Sequence, residues 1–78
     1  MMCTEILLPK IGFGVVAATI AQWLVADGAR VEEGQAIYNV ENDKAVEEVT
    51  APIGGTIRIL IPAGEQCPVG SVVGEIVP

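Results

Sequence analysis

The sequence predicts an all-β domain: a flattened barrel or sandwich of two small antiparallel sheets related by a pseudo-twofold. Three observations predict it. Short runs of Val, Ile and Leu are punctuated by nine glycines and five prolines, the signature of brief strands joined by turns. Between Thr56 and Ile61, Ile57, Ile59 and Ile61 alternate with Thr56, Arg58 and Leu60, as in a half-exposed strand. Third, the chain repeats itself. Gly28, Val31, Gly34, Ile37 and Val40 recur 36 residues later as Gly64, Cys67, Gly70, Val73 and Ile76. Upstream, Thr19-Ile20 and Trp23-Leu24 match Thr56-Ile57 and Leu60-Ile61 at a spacing of 37. The second half's turn is therefore expected to be one residue shorter. Two similar halves of about four short strands pack their apolar faces together.

In chain order, Glu5 to Leu8 reads as a first or edge strand that Pro9 stops. Lys10 to Gly14 is a glycine-bearing connector. Its Gly12-x-Gly14 lacks the helix pattern and further glycines of a phosphate loop. Val15 to Val25 reads as one long strand with room for a kink. A helix over Ala17 to Ala26 stays open because alanine is abundant, but β-branched residues and the Asp27-Gly28 hairpin pair favour strand. Trp23 is expected as a core anchor. Ala29 to Gly34 is a connector.

Ile37 to Val40 is the next strand. Ile37 and Val40 are three apart, so sharing a core requires a bulge or cover on both faces. Val46 to Thr50 forms a strand ended by Pro52, and Gly54-Gly55 allows a sharp change of direction. Thr56 to Ile61 and Val72 to Val77 complete the set. Expected core residues are Ile20, Trp23, Val31, Ile37, Val40, Val49, Ile57, Cys67, Val73 and Ile76.

Between the middle strands lies Glu41-Asn42-Asp43-Lys44-Ala45. Asn42 and Asp43 are turn formers, because their short side chains hydrogen-bond the local backbone. A β-hairpin with Lys44 at its tip is the simplest reading. A lysine there stands clear of the body of the domain, where something attached to it reaches other proteins. The counterpart of Lys44 in the repeat falls just beyond Pro78, so the termini replace the second tip and lie at the opposite end.

Composition narrows the function. The 78 residues make one domain, 51% hydrophobic but 4% aromatic, so its core is aliphatic. A net charge of −6 with four basic residues disfavours nucleic acid and anionic membrane as partners. With no histidine and a single serine, Ser71, a Ser/His or Cys/His nucleophilic site is excluded. Cys3 and Cys67 cannot close a zinc shell alone, and Cys67 falls on an apolar position of the repeat, as a small buried hydrophobe. Met1 to Glu5 carries no basic start of a signal peptide. The apolar run from Ile11 to Ala26 is shorter than the roughly 20 residues of a membrane span and reads as core strand.

Asp43-Lys44-Ala45, then Glu48-Val49, Ala51-Pro52 and Gly55, resemble the lipoyl domain of 2-oxo acid dehydrogenase acyltransferases. The resemblance runs from Leu8-Pro9 to Ile76. It implies that Lys44 carries lipoate through an amide bond. The related biotin carriers place their lysine between two methionines, whereas Asp43 and Ala45 flank it here. Asn42 stands where many relatives have Thr or Ser, and Phe13 where many have Glu; both bear on which partner is recognised.

The resemblance further implies an acyl carrier that does not catalyse by itself. Its partners are a lipoate ligase or lipoyltransferase, a thiamine-dependent decarboxylating component, an acyltransferase core and a flavin-dependent dihydrolipoyl dehydrogenase. Small Ala45 leaves a modifying enzyme room to approach, and Asp43 helps set the turn. Glu41, Glu47 and Glu48, with Asp43, are expected to offer an acidic surface to partners, and Phe13 either an apolar contact to a partner or a ring packed on the core. Residues 1–78 read as one domain of a longer acyltransferase, in the cytoplasm of a bacterium or the mitochondrial matrix of a eukaryote. The alternatives are a biotinyl carrier on the same fold and an unmodified β-domain that binds a protein.

Overall fold

The computed structural model describes residues 3–10, 14, 16–42 and 45–78. Among them there are strands and turns but no helix. The strands are β1 (Thr4–Leu7), β2 (Ala17–Trp23), β3 (Arg30–Val31), β4 (Ala36–Glu41), β5 (Val46–Thr50), β6 (Gly55–Ile59), β7 (Gln66–Pro68) and β8 (Val72–Val77). They form two antiparallel four-stranded sheets, ordered β1-β8-β6-β3 and β5-β4-β2-β7. The alanines of Ala17 to Trp23 thus join a strand; pairing on both sides, with β4 and β7, overrides their helical preference.

The two orders are one order written twice. Replacing β5, β4, β2 and β7 by β1, β8, β6 and β3 converts the second sheet into the first, and the registers follow. Ile20 pairs with Val40 as Ile57 pairs with Ile76, and Ala18 pairs with Cys67 as Gly55 pairs with Val31. Bonds between the sheets repeat too. Gly28 N–H donates to the Ile57 carbonyl at 2.8 Å, and Gly64 N–H donates to that of Ile20 at 2.7 Å. Gly28 and Gly64 hold φ of 86° and 93°, a region that L side chains rarely enter, which is why glycine recurs there in the sequence.

Two expectations need correction. The Asp27-Gly28 pair does not close a hairpin, because β2 and β3 lie in different sheets. The turn carries the chain across, and Asp27 Oδ1 accepts from Ile59 N–H at 2.8 Å to hold it on β6. Nor does the extra residue of the first half sit in that turn. Ile20 is opposite Val40 but Gln22 is opposite Asn39, so Ala21 is a bulge, whereas Ile57 and Arg58 follow in step opposite Ile76 and Glu75. Beyond the bulge the spacing is 36. Leu24 N–H donates to Ile37 O and its true counterpart Leu60 N–H donates to Val73 O, so Trp23 matches Ile59 rather than Leu60. The stretch expected as a connector, Ala29 to Gly34, holds the short β3, and β7 is a strand for which the sequence gives no sign; two or three residues are too few to show a period.

A pair of equivalent bulges explains how Ile37 and Val40 share the core. Ala36 is opposite Thr50 and Tyr38 opposite Val49, leaving Ile37 extra. Val73 is extra in the same way between the partners of Ile6 and Leu7. Each bulge turns two consecutive residues inward, and Ile37 and Tyr38 are both fully buried. Eight of the ten expected core residues are buried, and Trp23 and Val49 pack half-buried against them. Ile6, Leu8, Ala18, Tyr38 and Ala51 join the same core.

Candidate cofactor-attachment site

Strands β4 and β5 form the hairpin that the sequence predicts, paired from Ala36 with Thr50 to Glu41 with Val46. Beyond Glu41 the turn is closed twice. Asn42 N–H donates to the Ala45 carbonyl at 2.9 Å, and Ala45 N–H donates to Asn42 Oδ1 at 2.8 Å. Asp43 and Lys44 lie between these two in sequence and outside the described residues, as does Phe13.

Pairing places a row across the sheet at this end: Val46, Glu41, Thr19 and Gln66 on β5, β4, β2 and β7. Strand β2 therefore begins at the same end, and Val16, immediately before it, is 79% exposed. Val46 is 63% exposed. Sequence reasoning missed both valines, since an apolar residue at a strand end carries no mark of exposure. Glu41, Glu47 and Glu48 are exposed, and Ala45 is half-buried. Glu47 and Glu48 stand on β5, an edge strand, opposite Val40 and Asn39. Charges on an edge also discourage pairing with another chain.

The surroundings suit covalent attachment of a long group rather than enclosure of one. The flanking Glu41 and Val46 are open to solvent, and Asn42 and Ala45 bond each other across the turn. Among the described residues no group of three or more His, Cys, Asp or Glu side chains gathers to hold a metal.

The family model for biotin and lipoyl attachment, described as "Biotin-requiring enzyme", matches residues 4–76. The chain is 46% identical over 67 residues to the dihydrolipoyllysine-residue acetyltransferase component of the pyruvate dehydrogenase complex of Mycoplasma capricolum, covering 85% of this chain and 15% of that protein. It is 36% identical over 76 residues to the component of the same name in Staphylococcus epidermidis, covering 96% of this chain and 18% of that one. The chain thus spans less than a fifth of these curated relatives. Among solved structures it resembles the lipoyl domain of the 2-oxoglutarate dehydrogenase complex of Azotobacter vinelandii, with a TM-score of 0.79, 28% identity and 96% of each chain covered. Family match, relatives and fold agree: the chain belongs to the biotin/lipoyl attachment family and is a lipoyl domain, a carrier of the kind that bears lipoate covalently on a lysine.

Proposed function

We propose that Lys44 is the attachment lysine and that the domain carries acyl groups within a 2-oxo acid, or acetoin, dehydrogenase complex. The observation that carries this reading is the closure of the β4–β5 hairpin by Asn42 and Ala45, which leaves Asp43 and Lys44 as the two residues between the closing pair. The other lysine, Lys10, lies in the connector after β1. Attachment joins Lys44 Nζ to the lipoyl carboxyl carbon. The amine gives up a proton, and the activating group of a lipoyl adenylate leaves.

Bound there, lipoate supplies a dithiolane that takes up an acyl group and two electrons at one enzyme and yields them to others. The chain's own part is to hold Lys44 at the end of a stiff hairpin and keep the arm near its partners, which raises effective concentration. Exposed Glu41, Glu47 and Glu48, together with Asp43, give partners an acidic surface to read, and Phe13 adds an apolar contact. The partners are a lipoate ligase or lipoyltransferase, a thiamine-dependent decarboxylase, the acyltransferase core and a flavin-dependent dihydrolipoyl dehydrogenase. The fraction of the relatives that the chain spans supports residues 1–78 as one domain of a longer acyltransferase.

The test is intact mass of the domain after incubation with lipoate, ATP and a lipoate ligase, followed by fragmentation to find the modified residue. The expected result is a single lipoyl group on Lys44. An unmodified chain, or one modified elsewhere, overturns the reading.

A further inference from the structure

We propose that Asn42 is a positioning residue for the covalent modification of Lys44. The inference rests on Lys44 being the attachment lysine. It starts from where the β4–β5 ladder stops being indifferent to sequence. Up to Glu41 and Val46 the two strands are held as a backbone ladder, which any residue but proline supports. At the next step the bonding changes character. Asn42 N–H still donates to a carbonyl, that of Ala45, at 2.9 Å. The return bond comes from Ala45 N–H and goes to the Asn42 side chain, at 2.8 Å to Oδ1.

Beside the attachment site, one of the two bonds that join the strands is therefore written in a side chain. Asn42 and Ala45 are half-buried, so the bond is partly shielded from competing water. A side-chain amide that accepts from a backbone N–H three residues on holds a turn closed in the manner of an Asx motif. Below the turn β4 is anchored between β5 and β2, and β5 is paired to it from Val46 to Thr50, so losing this bond loosens the turn without unravelling the sheet. An enzyme that must bring Nζ onto an activated carboxyl gains from a turn already in its reactive shape, because ordering it on binding costs free energy. The cost of an unclamped turn falls on recognition of the domain. Once the complex has formed, the bond-making step proceeds as before.

The experiment compares the parent with Asn42→Ala, Asn42→Asp and Asn42→Thr in a lipoate ligase assay. Each protein is varied in concentration, thermal unfolding is recorded, and amide hydrogen exchange is followed at Ala45. Alanine removes the acceptor; aspartate and threonine keep one. The expected result for Asn42→Ala is a KM for the domain raised about fivefold with kcat little changed, the size of one net hydrogen bond. Ala45 exchange should quicken, the melting temperature should stay close to the parent's, and the two acceptor variants should restore KM. Parental KM in Asn42→Ala overturns the proposal, as does equal impairment in all three variants. A parent that is not modified on Lys44 at all removes the attachment reading and this inference with it. A parent modified on Lys44 alongside an unaffected Asn42→Ala removes this inference alone.

Discussion

The ring of Trp23 lies over the space that Gly74 leaves empty: its Cη2 is 3.5 Å from where a β-carbon on Gly74 would stand. The two belong to opposite sheets, and the indole N–H adds a second tie by donating to the Ile61 carbonyl at 2.9 Å. In the repeat Gly74 corresponds to Tyr38 and Trp23 to Ile59, since Trp23 pairs with Tyr38 and Ile59 with Gly74. One half thus carries two rings, 4.8 Å apart and tilted by 41°, where the other carries Ile and Gly. Large meets small across the pseudo-twofold. Trp23→Ala should cost about 3–5 kcal/mol, and Trp23→Phe, which keeps an aromatic ring, about 1 kcal/mol for the lost bond. Gly74→Ala should also destabilise, by about 1–3 kcal/mol, because its β-carbon would meet the Arg58 carbonyl oxygen at 2.7 Å. Urea unfolding of the three variants checks the order.

The hydroxyl of Tyr38 is buried and, among the described residues, finds no hydrogen-bond partner. Burial pushes its pKa up from 10 to about 12. Deleting an unpaired buried hydroxyl relieves a desolvation cost, so Tyr38→Phe should be neutral or stabilising by up to about 1 kcal/mol. The raised value also has a direction in pH. The folded form holds the phenolic proton more tightly than the unfolded chain, so this contribution is whole below the ordinary tyrosine value and fades as pH rises toward 12. Alkaline unfolding followed by circular dichroism should begin later in Tyr38→Phe than in the parent.

Lys44→Arg and Lys44→Gln should abolish lipoylation and leave the fold intact. The turn is closed by Asn42 and Ala45, so stability should change by no more than about 0.5 kcal/mol. Intact mass and thermal unfolding are the readouts. A lipoyl group appearing on Lys10 in these variants would contradict the assignment.

Asp43→Met combined with Ala45→Met gives Lys44 the neighbours of a biotin carrier. This double variant should be lipoylated more slowly than the parent and should accept biotin from a biotin ligase. Parental lipoylation with no biotinylation would show that the neighbours do not select the cofactor.

Cys3 is exposed, yet its thiol is poorly disposed to ionise. A hydrogen bond to Glu75, at 3.3 Å from Sγ to Oε2, and the negative charges of Glu75 and Glu5 raise its pKa. Alkylation by iodoacetamide near pH 8 should be slower than for a free cysteine, because the thiolate is the nucleophile. Glu75→Gln should speed it.

Much of this domain was legible in the sequence because its order is local or repeated. The strand Val72–Val77 and the strand Val46–Thr50 are expected with their observed bounds, the second stopped by Pro52. The repeated glycines marked turns that need positive φ, at Gly28 and Gly64 above all, and repetition alone implied two facing sheets. The D-K-A stretch between two strands marked the candidate attachment lysine through its resemblance to the lipoyl domains.

Only the tertiary structure decided what depends on contacts between distant residues. The bulges at Ala21, Ile37 and Val73 appear when a strand is laid against its partner, and the one at Ala21, not the turn, holds the extra residue of the repeat. Strands β3 and β7 exist because β6 and β2 are there to pair with them. Tyr38 is buried because the Ile37 bulge turns two successive side chains inward. The bond from Ala45 N–H to Asn42 Oδ1 needed coordinates as well: the sequence marks Asn42 as a turn former, but which acceptor closes the turn is settled by the approach of β4 to β5.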